Sequence, residues 1–235
     1  MTASRGKRLG LLALCAIGIL LFGSLGAWQV QRLGWKRDLI ARVDSRIHAE
    51  PVSLPPRAEW SRLEPHDVEY RRVQLHGHFL YQHDTLVDAV TELGDGWWVL
   101  TPLESDEGLV WVNRGFVPRE QGGSIPGTQG KGEVQVTGLL RRTEPEGRIL
   151  RPNRPEEARW FSRDVQAMAA ARGLGEVAPF FIDAEAQPGS NEWPRGGMTV
   201  VTFRNAHLSY ALTWFGLAGL CAAGGVLVLR DSPSA

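Results

Sequence analysis

Leu9-Gly-Leu-Leu-Ala-Leu-Cys-Ala-Ile-Gly-Ile-Leu-Leu-Phe-Gly-Ser-Leu-Gly-Ala-Trp28 near one end and His207-Leu-Ser-Tyr-Ala-Leu-Thr-Trp-Phe-Gly-Leu-Ala-Gly-Leu-Cys-Ala-Ala-Gly-Gly-Val-Leu-Val-Leu229 near the other decide the fold. The first has no charged side chain over the roughly 20 residues that a helix needs to cross the hydrocarbon of a bilayer. The second is equally charge-free apart from its leading histidine and stops at Arg230-Asp231. Two such segments predict a hairpin of transmembrane helices, 9–30 and 207–229, with short tails at 1–8 and 230–235. A domain of its own fills 31–206.

A cleaved signal peptide is the plainer reading of the first segment, since Arg5, Lys7 and Arg8 form a basic leader and Ser24-Leu25-Gly26 offers small residues. Its apolar stretch exceeds the usual h-region of roughly 7 to 15 residues, which favours a retained anchor. The basic tail places the N-terminus in the cytoplasm by the positive-inside rule, and two spans return the C-terminus to the same side. Arg32, Lys36 and Arg37 argue the other way, but the connecting region is too long for the rule to weigh them.

With 22% charged residues and zero net charge, most of the chain must face water, and no basic run interleaved with aromatics marks a nucleic-acid surface. Both cysteines, Cys15 and Cys221, fall within the apolar segments. The aqueous domain therefore uses neither a disulfide nor a thiolate metal site, and the cysteines read as small packing residues.

Beyond Trp28, an interfacial aromatic like Trp35, helical spacing continues through Gln29, Arg32, Lys36, Leu39, Ile40 and Val43 until Pro51, Pro55 and Pro56 break it. Strand texture then takes over at 70–80, 85–90, 97–103, 109–114, 133–141, 179–183 and 198–203, in short runs punctuated by Gly and Pro. A helix is expected within 162–172, capped by Ser162 or Asp164, and a Gly-rich loop at 121–132. The predicted fold class is a two-helix transmembrane hairpin plus an α+β, mainly antiparallel β domain, a sheet or small barrel, on the extracytoplasmic side.

No nucleophile elbow, phosphate loop, zincin motif, Cys-x-x-Cys or Cys-x-x-Cys-His is present in the sequence, which weighs against an enzyme. Two residues apart on a strand, His76 and His78 share a face. With His83 returning across a turn they would suit copper or zinc, or else form the polar face of a half-buried strand. Asn113-Arg114-Gly115 reads as a sharp turn in which Arg114 binds an anion or, more simply, a carbonyl.

The approach to the second span is the most specific stretch. Asn205-Ala-His-Leu-Ser-Tyr-Ala-Leu-Thr-Trp-Phe215 resembles the C-terminal hallmark of the surfeit locus protein family, membrane assembly factors of haem-copper cytochrome c oxidase, with Ala206 where the family often has a second Asn. Leu25-Gly-x-Trp-Gln29 with Arg32 and Trp35-Lys36, Tyr70-Arg-Arg-Val73 with Gly77-His-Phe79, Gly96 to Pro102, Val112-Asn-Arg-Gly115 with Val117-Pro118, and Gly138-Leu-Leu-Arg141 agree in order and spacing.

Together with the basic tail and the missing enzyme motifs, the resemblance implies a plasma-membrane (inner-membrane) protein with a periplasmic domain and both termini cytoplasmic, not an enzyme. It implies transient binding of haem a, with the oxidase catalytic subunit as partner and haem a synthase as a further one. The residues suit that role. A neutral imidazole at His207 is an axial ligand for haem iron, Arg32 and Arg204 are in sequence positions to reach propionates, and Trp28, Tyr210 and Trp214 offer flat walls. Tyr210 and Trp214 share the helix face of His207. Read as residues alone, the same set also serves as interfacial anchors and a helix-capping histidine. A cofactor-free scaffold for an oxidase intermediate, or copper handling through His76, His78 and His83, are the alternatives.

Overall fold

The computed structural model describes residues 5–64, 68–121, 132–187, 189, 192–199, 201, 203 and 205–230. It divides into two compact units, one built from the two ends of the chain and one from Val43–Val200.

The first unit is a pair of helices, α1 (Arg5–Ile47) and the chain's last helix, α3 (His207–Arg230), both long and apolar enough to cross a membrane. Leu9 to Val30 has the composition of a span, and α1 then continues until the prolines after residue 50 stop it, as the spacing predicts. The two helices are antiparallel. Arg8 at the start of α1 donates to the carbonyl of Leu229 at 3.0 Å, and the Phe22 and Trp214 rings stack with centroids 5.8 Å apart. Small residues let the backbones approach. A Cβ at Gly26 would lie 2.6–2.8 Å from the Phe215 ring, and one at Gly18 would lie 2.6 Å from the Cys221 sulfur. Cys15 in turn faces Gly224 and Gly225. Both thiols are free and serve as packing residues, as their positions in the sequence imply.

The second unit holds seven strands: β1 (Val52–Ser53), β2 (Arg72–Phe79), β3 (Thr85–Thr91), β4 (Gly94–Ser105), β5 (Gly108–Pro118), β6 (Val134–Arg142) and β7 (Val177–Ala184). Five of them, in the order β2-β6-β7-β5-β4, close on themselves because the end of β4 pairs with the end of β2 through His78↔Glu104 and Phe79↔Leu103. Every pair around this ring is antiparallel except β5 with β7. Numbered along the chain, the barrel strands run 1-2-3-5-4 with the third and fifth parallel, the Greek-key circuit of an OB-type barrel. Closure removes the exposed edges that an open five-stranded sheet would carry.

Alternation sorts each strand's residues to one of two apolar layers. Val73, Leu75, Leu103, Val110, Val112, Val136, Leu140, Phe180 and Ile182 fill the barrel, and Trp60, whose indole N–H donates to the Pro55 carbonyl at 2.9 Å, packs with them. On the outer face a second cluster forms around α2 (Val165–Ala171), where Val165, Met168 and Ala169 bury against Trp111, Val177 and Phe181. Asp164 caps α2, accepting the Ala167 N–H at 3.1 Å, which decides between the two expected caps.

Two expectations from the sequence change. The described residues of the 198–203 run form no strand, so its apolar alternation is not matched by a ladder partner. Asn113-Arg114-Gly115 is not a turn. It lies inside β5 as a bulge, with Asn113 opposite Leu100, Gly115 opposite Val99 and Arg114 as the extra residue. Gly115 is required there, since its φ is +132° and any Cβ would run into the backbone of Arg195 and Gly196. Of the expected Gly-rich loop, 122–131 lies outside the described residues.

Candidate functional site

His207 is the first residue of α3, and its Nδ1 lies 2.7 Å from Oε1 of Gln29 on α1. Gln29 is buried, as are Leu33 one turn beyond it and Ala211 one turn beyond His207. A glutamine buried within an apolar helix pair needs a partner for its amide, and the imidazole supplies one. An amide oxygen can only accept, so in this pairing the proton is carried on Nδ1 and the contact orients the ring. A single oriented imidazole could serve as an axial ligand, whereas a chelated ion would need further donors beside it.

The other residues expected to join His207 are, apart from Arg204, carried on the two helices. Arg32 is exposed, its guanidinium 4.7 Å from the centre of the Trp35 ring. Trp28 and Tyr210 are exposed on their helices, while Trp214 is engaged with Phe22. Arg204 lies outside the described residues. The structure thus adds Gln29, which the sequence marks only as part of the Trp28-Gln29 motif. A polar amide among otherwise apolar helix positions was the available signal.

In the barrel unit the polar residues of the resemblance motifs are structural. Asp183 on β7 is 4% exposed and accepts from Asn113 at 2.8 Å, Arg141 at 2.9 Å, Arg163 at 3.3 Å and Thr199 at 3.0 Å. Arg163 also clamps Glu144, and Arg141 lies over the Tyr70 ring. Burial alone would push the Glu144 carboxyl up, but its hydrogen bonds from Arg163 and the charges of Arg163 and Arg141 hold it below the usual range. Around the β5 bulge, Arg114 lies 3.8 Å from Asp84 and over the Phe79 and Tyr81 rings, beside a cleft of about 290 Å³. Burial pushes the Asp84 carboxyl up against the opposing hydrogen bond from Thr101 and the charges of Arg114 and Arg172, and it pulls Arg114 down. Arg114 therefore has an anionic side chain, Asp84, beside it.

His76 and His78 are exposed on one face of β2, and His83 ends the single 3₁₀ turn after it. Among the described residues no group of three or more His, Cys, Asp or Glu is arranged to hold a metal ion. The strand and turn do not gather these three imidazoles into a copper site.

Residues 16–219, which include Gln29 and His207, match the model of the SURF1 family. The chain belongs to the SURF1 family. It is 40% identical to surfeit locus protein 1 of Rattus norvegicus over 225 residues, covering 88% of this chain and 70% of that protein. It is equally similar to surfeit locus protein 1 of Homo sapiens, at 40% over 225 residues, covering 87% and 72%. A SURF1-like protein of Monosiga brevicollis is 34% identical over 251 residues, covering 97% of this chain and 91% of its own length. The SURF1 match takes in the whole barrel and part of each apolar helix.

Proposed function

We propose that this protein is an assembly factor for a haem-copper cytochrome c oxidase that holds haem a through His207 and assists its insertion into the catalytic subunit. SURF1 membership points to an assembly factor and not to an enzyme. The observation that carries the haem reading is the 2.7 Å contact between Gln29 Oε1 and His207 Nδ1, which presents Nε2 as the ligand atom.

Haem a is cargo in this reading, and it brings an iron that takes an axial imidazole and two propionates that take guanidinium groups. Within this chain, Gln29 orients the imidazole and keeps its proton on Nδ1. Arg32 and Arg204 receive the propionates, and Trp28, Tyr210 and Trp214 line the path in lipid. The catalytic subunit is the acceptor and haem a synthase the donor. The protein sits in the plasma (inner) membrane with both tails cytoplasmic and the barrel periplasmic.

Purification of the full-length protein from cells that make haem a, followed by an absorption spectrum, tests the reading. Bound haem a in the wild type and its loss in His207→Ala are expected, with reduced content in Gln29→Leu. No haem in the wild type, or unchanged content in His207→Ala, overturns ligation by this residue. Copurification with oxidase subunits that survives His207→Ala, with no haem in either protein, identifies a cofactor-free scaffold instead.

A further inference from the structure

Ile149 and Leu150 are 94% and 96% exposed, more than any other large apolar residue among those described. They form the apex of a tight turn between β6 and α2, and the turn is held firmly. Arg148 and Arg151 exchange backbone hydrogen bonds across it at 3.0 and 2.9 Å, so the two aliphatic residues project from a closed loop. Leu150 has a φ of +65°, a left-handed conformation that a bulky side chain rarely adopts and that persists only where the surroundings impose it.

The base of the loop supplies that constraint. Asn153 Oδ1 accepts the N–H groups of Phe161 at 2.8 Å and Ser162 at 3.1 Å, and Ser162 Oγ accepts from Gly147 at 3.0 Å. Arg148 donates to the carbonyl of Asp88 at 3.3 Å, and Arg151 lies 3.7 Å from its carboxylate, which ties the turn to β3. Val90, on the same face of β3 as Asp88, is itself 70% exposed. The loop thus spends backbone strain and several hydrogen bonds to hold two aliphatic side chains out, with no cover from the described residues.

The chemistry around the apex says what covers it. Arg148, Arg151, Arg154 and Arg159 lie within twelve residues; Arg151 is near the Asp88 carboxylate and Arg154 and Arg159 near that of Glu157, in exposed pairs that leave the guanidinium groups open to water. Aliphatic side chains at a convex tip, rimmed by arginines whose long stems can keep their charge at the water boundary, match an anionic lipid surface. The tip enters the acyl boundary and the guanidinium groups meet phosphates. A convex tip needs a preformed pocket in a protein partner, whereas fluid lipid accommodates any such shape. The barrel is also joined at both ends of its sequence to helices fit to span a bilayer, so lipid is available at high effective concentration.

We propose that the Ile149-Leu150 turn is a lipid-contacting element, dipping into the headgroup region of an anionic membrane with Arg148 and Arg151 on the phosphates.

The test uses the full-length protein with Cys15→Ala and Cys221→Ala, carrying either Ile149→Cys or, as a control at the exposed β4–β5 turn, Asp106→Cys, labelled with an environment-sensitive nitrobenzoxadiazole dye. Both are reconstituted into vesicles of phosphatidylcholine with or without phosphatidylglycerol, and near-ultraviolet circular dichroism matching the unlabelled protein establishes that each is folded. In vesicles containing phosphatidylglycerol, the label at 149 is expected to shift to the blue, to be quenched by headgroup-proximal doxyl lipid and to be shielded from iodide. The label at 106 remains accessible to iodide. Arg148→Gln with Arg151→Gln reduces the shielding at 149. A label at 149 as accessible to iodide as that at 106 overturns the proposal. Shielding that arises only when oxidase subunits are added overturns it too, and identifies a protein partner.

Discussion

Asp183→Ala tests whether the polar node on β7 holds the barrel together. The carboxylate is almost fully buried and receives Asn113, Arg141, Arg163 and Thr199. Its removal takes one carboxylate from two guanidinium groups and the shared acceptor from Asn113 and Thr199, in a largely buried site. Breaking a buried ion pair by deleting one partner costs about 3–5 kcal/mol. Glu144 remains on Arg163, and Glu69 lies 3.6 Å from Arg141, so the lower end applies, about 3 kcal/mol. For a unit of this size each kcal/mol moves the midpoint by about 2–4 °C, so thermal unfolding of the full-length protein in nanodiscs should drop by roughly 6–12 °C. Near-ultraviolet circular dichroism reads the transition of the barrel. Asp183→Ala combined with Arg163→Met should cost less than the sum of the two single changes, because each removes a partner of the other. A fall of less than about 2 °C in Asp183→Ala would refute the reasoning and make the node ornamental.

Met168→Ala removes a fully buried side chain between α2 and the outer face of the barrel, and the same melt should register a loss of about 2–5 kcal/mol. Gly26→Leu drives a side chain into the Phe215 ring, so oxidative cross-linking of a Phe22→Cys, Trp214→Cys pair, in a background with Cys15 and Cys221 replaced, should fall sharply. Unchanged yield would show that the helices do not meet there.

Two carboxyls give opposite pH signatures. The lowered Glu144 stabilises the fold above the ordinary glutamate value near 4.3, and that contribution is lost as pH falls through its depressed pKa, so wild type and Glu144→Gln should converge in acid. The raised Asp84 contributes stability that is present below the ordinary value near 3.9 and lost as pH rises through its elevated pKa. The advantage of wild type over Asp84→Asn should therefore shrink from about pH 4 upward, as measured by melting midpoint against pH. A gap that is constant with pH for either variant contradicts the assigned direction.

The ends of the chain were legible because a bilayer imposes length and polarity directly on sequence: Leu9 to Val30 and His207 to Leu229 leave few other readings. Six of the seven expected strands were legible from alternation and Gly/Pro punctuation. Barrel closure was not, because it rests on two residue pairs, His78↔Glu104 and Phe79↔Leu103, that are distant in sequence and carry no local mark. The bulge at Arg114 was read as a turn because a glycine with positive φ serves both, and only the register opposite Val99 and Leu100 separates them. Motif residues such as Tyr70, Asn113 and Arg141 identified the family through positions that hold the barrel's polar node. His207 was visible as a lone imidazole at the edge of a span. Its partner Gln29 was hidden, because pairing between helices 178 residues apart leaves no periodic trace.

The glycine and aromatic contacts of the helix pair set the height of the imidazole. Phe22 and Gln29 are one heptad apart on α1, and His207 and Trp214 are one heptad apart on α3, so the two pairings belong to a single register. A slip of either helix by one turn would displace both at once by about 5.4 Å. The depth of His207 is therefore measured from inside the hydrocarbon, by how closely Gly18 and Gly26 let their neighbours approach, and not by the thickness of the surrounding lipid. Moved to a thicker or thinner bilayer, the pair should tilt as a unit and keep its histidine in place. A bulky residue at Gly18, remote from the imidazole along the helix, would act on that histidine as a vernier knocked out of line.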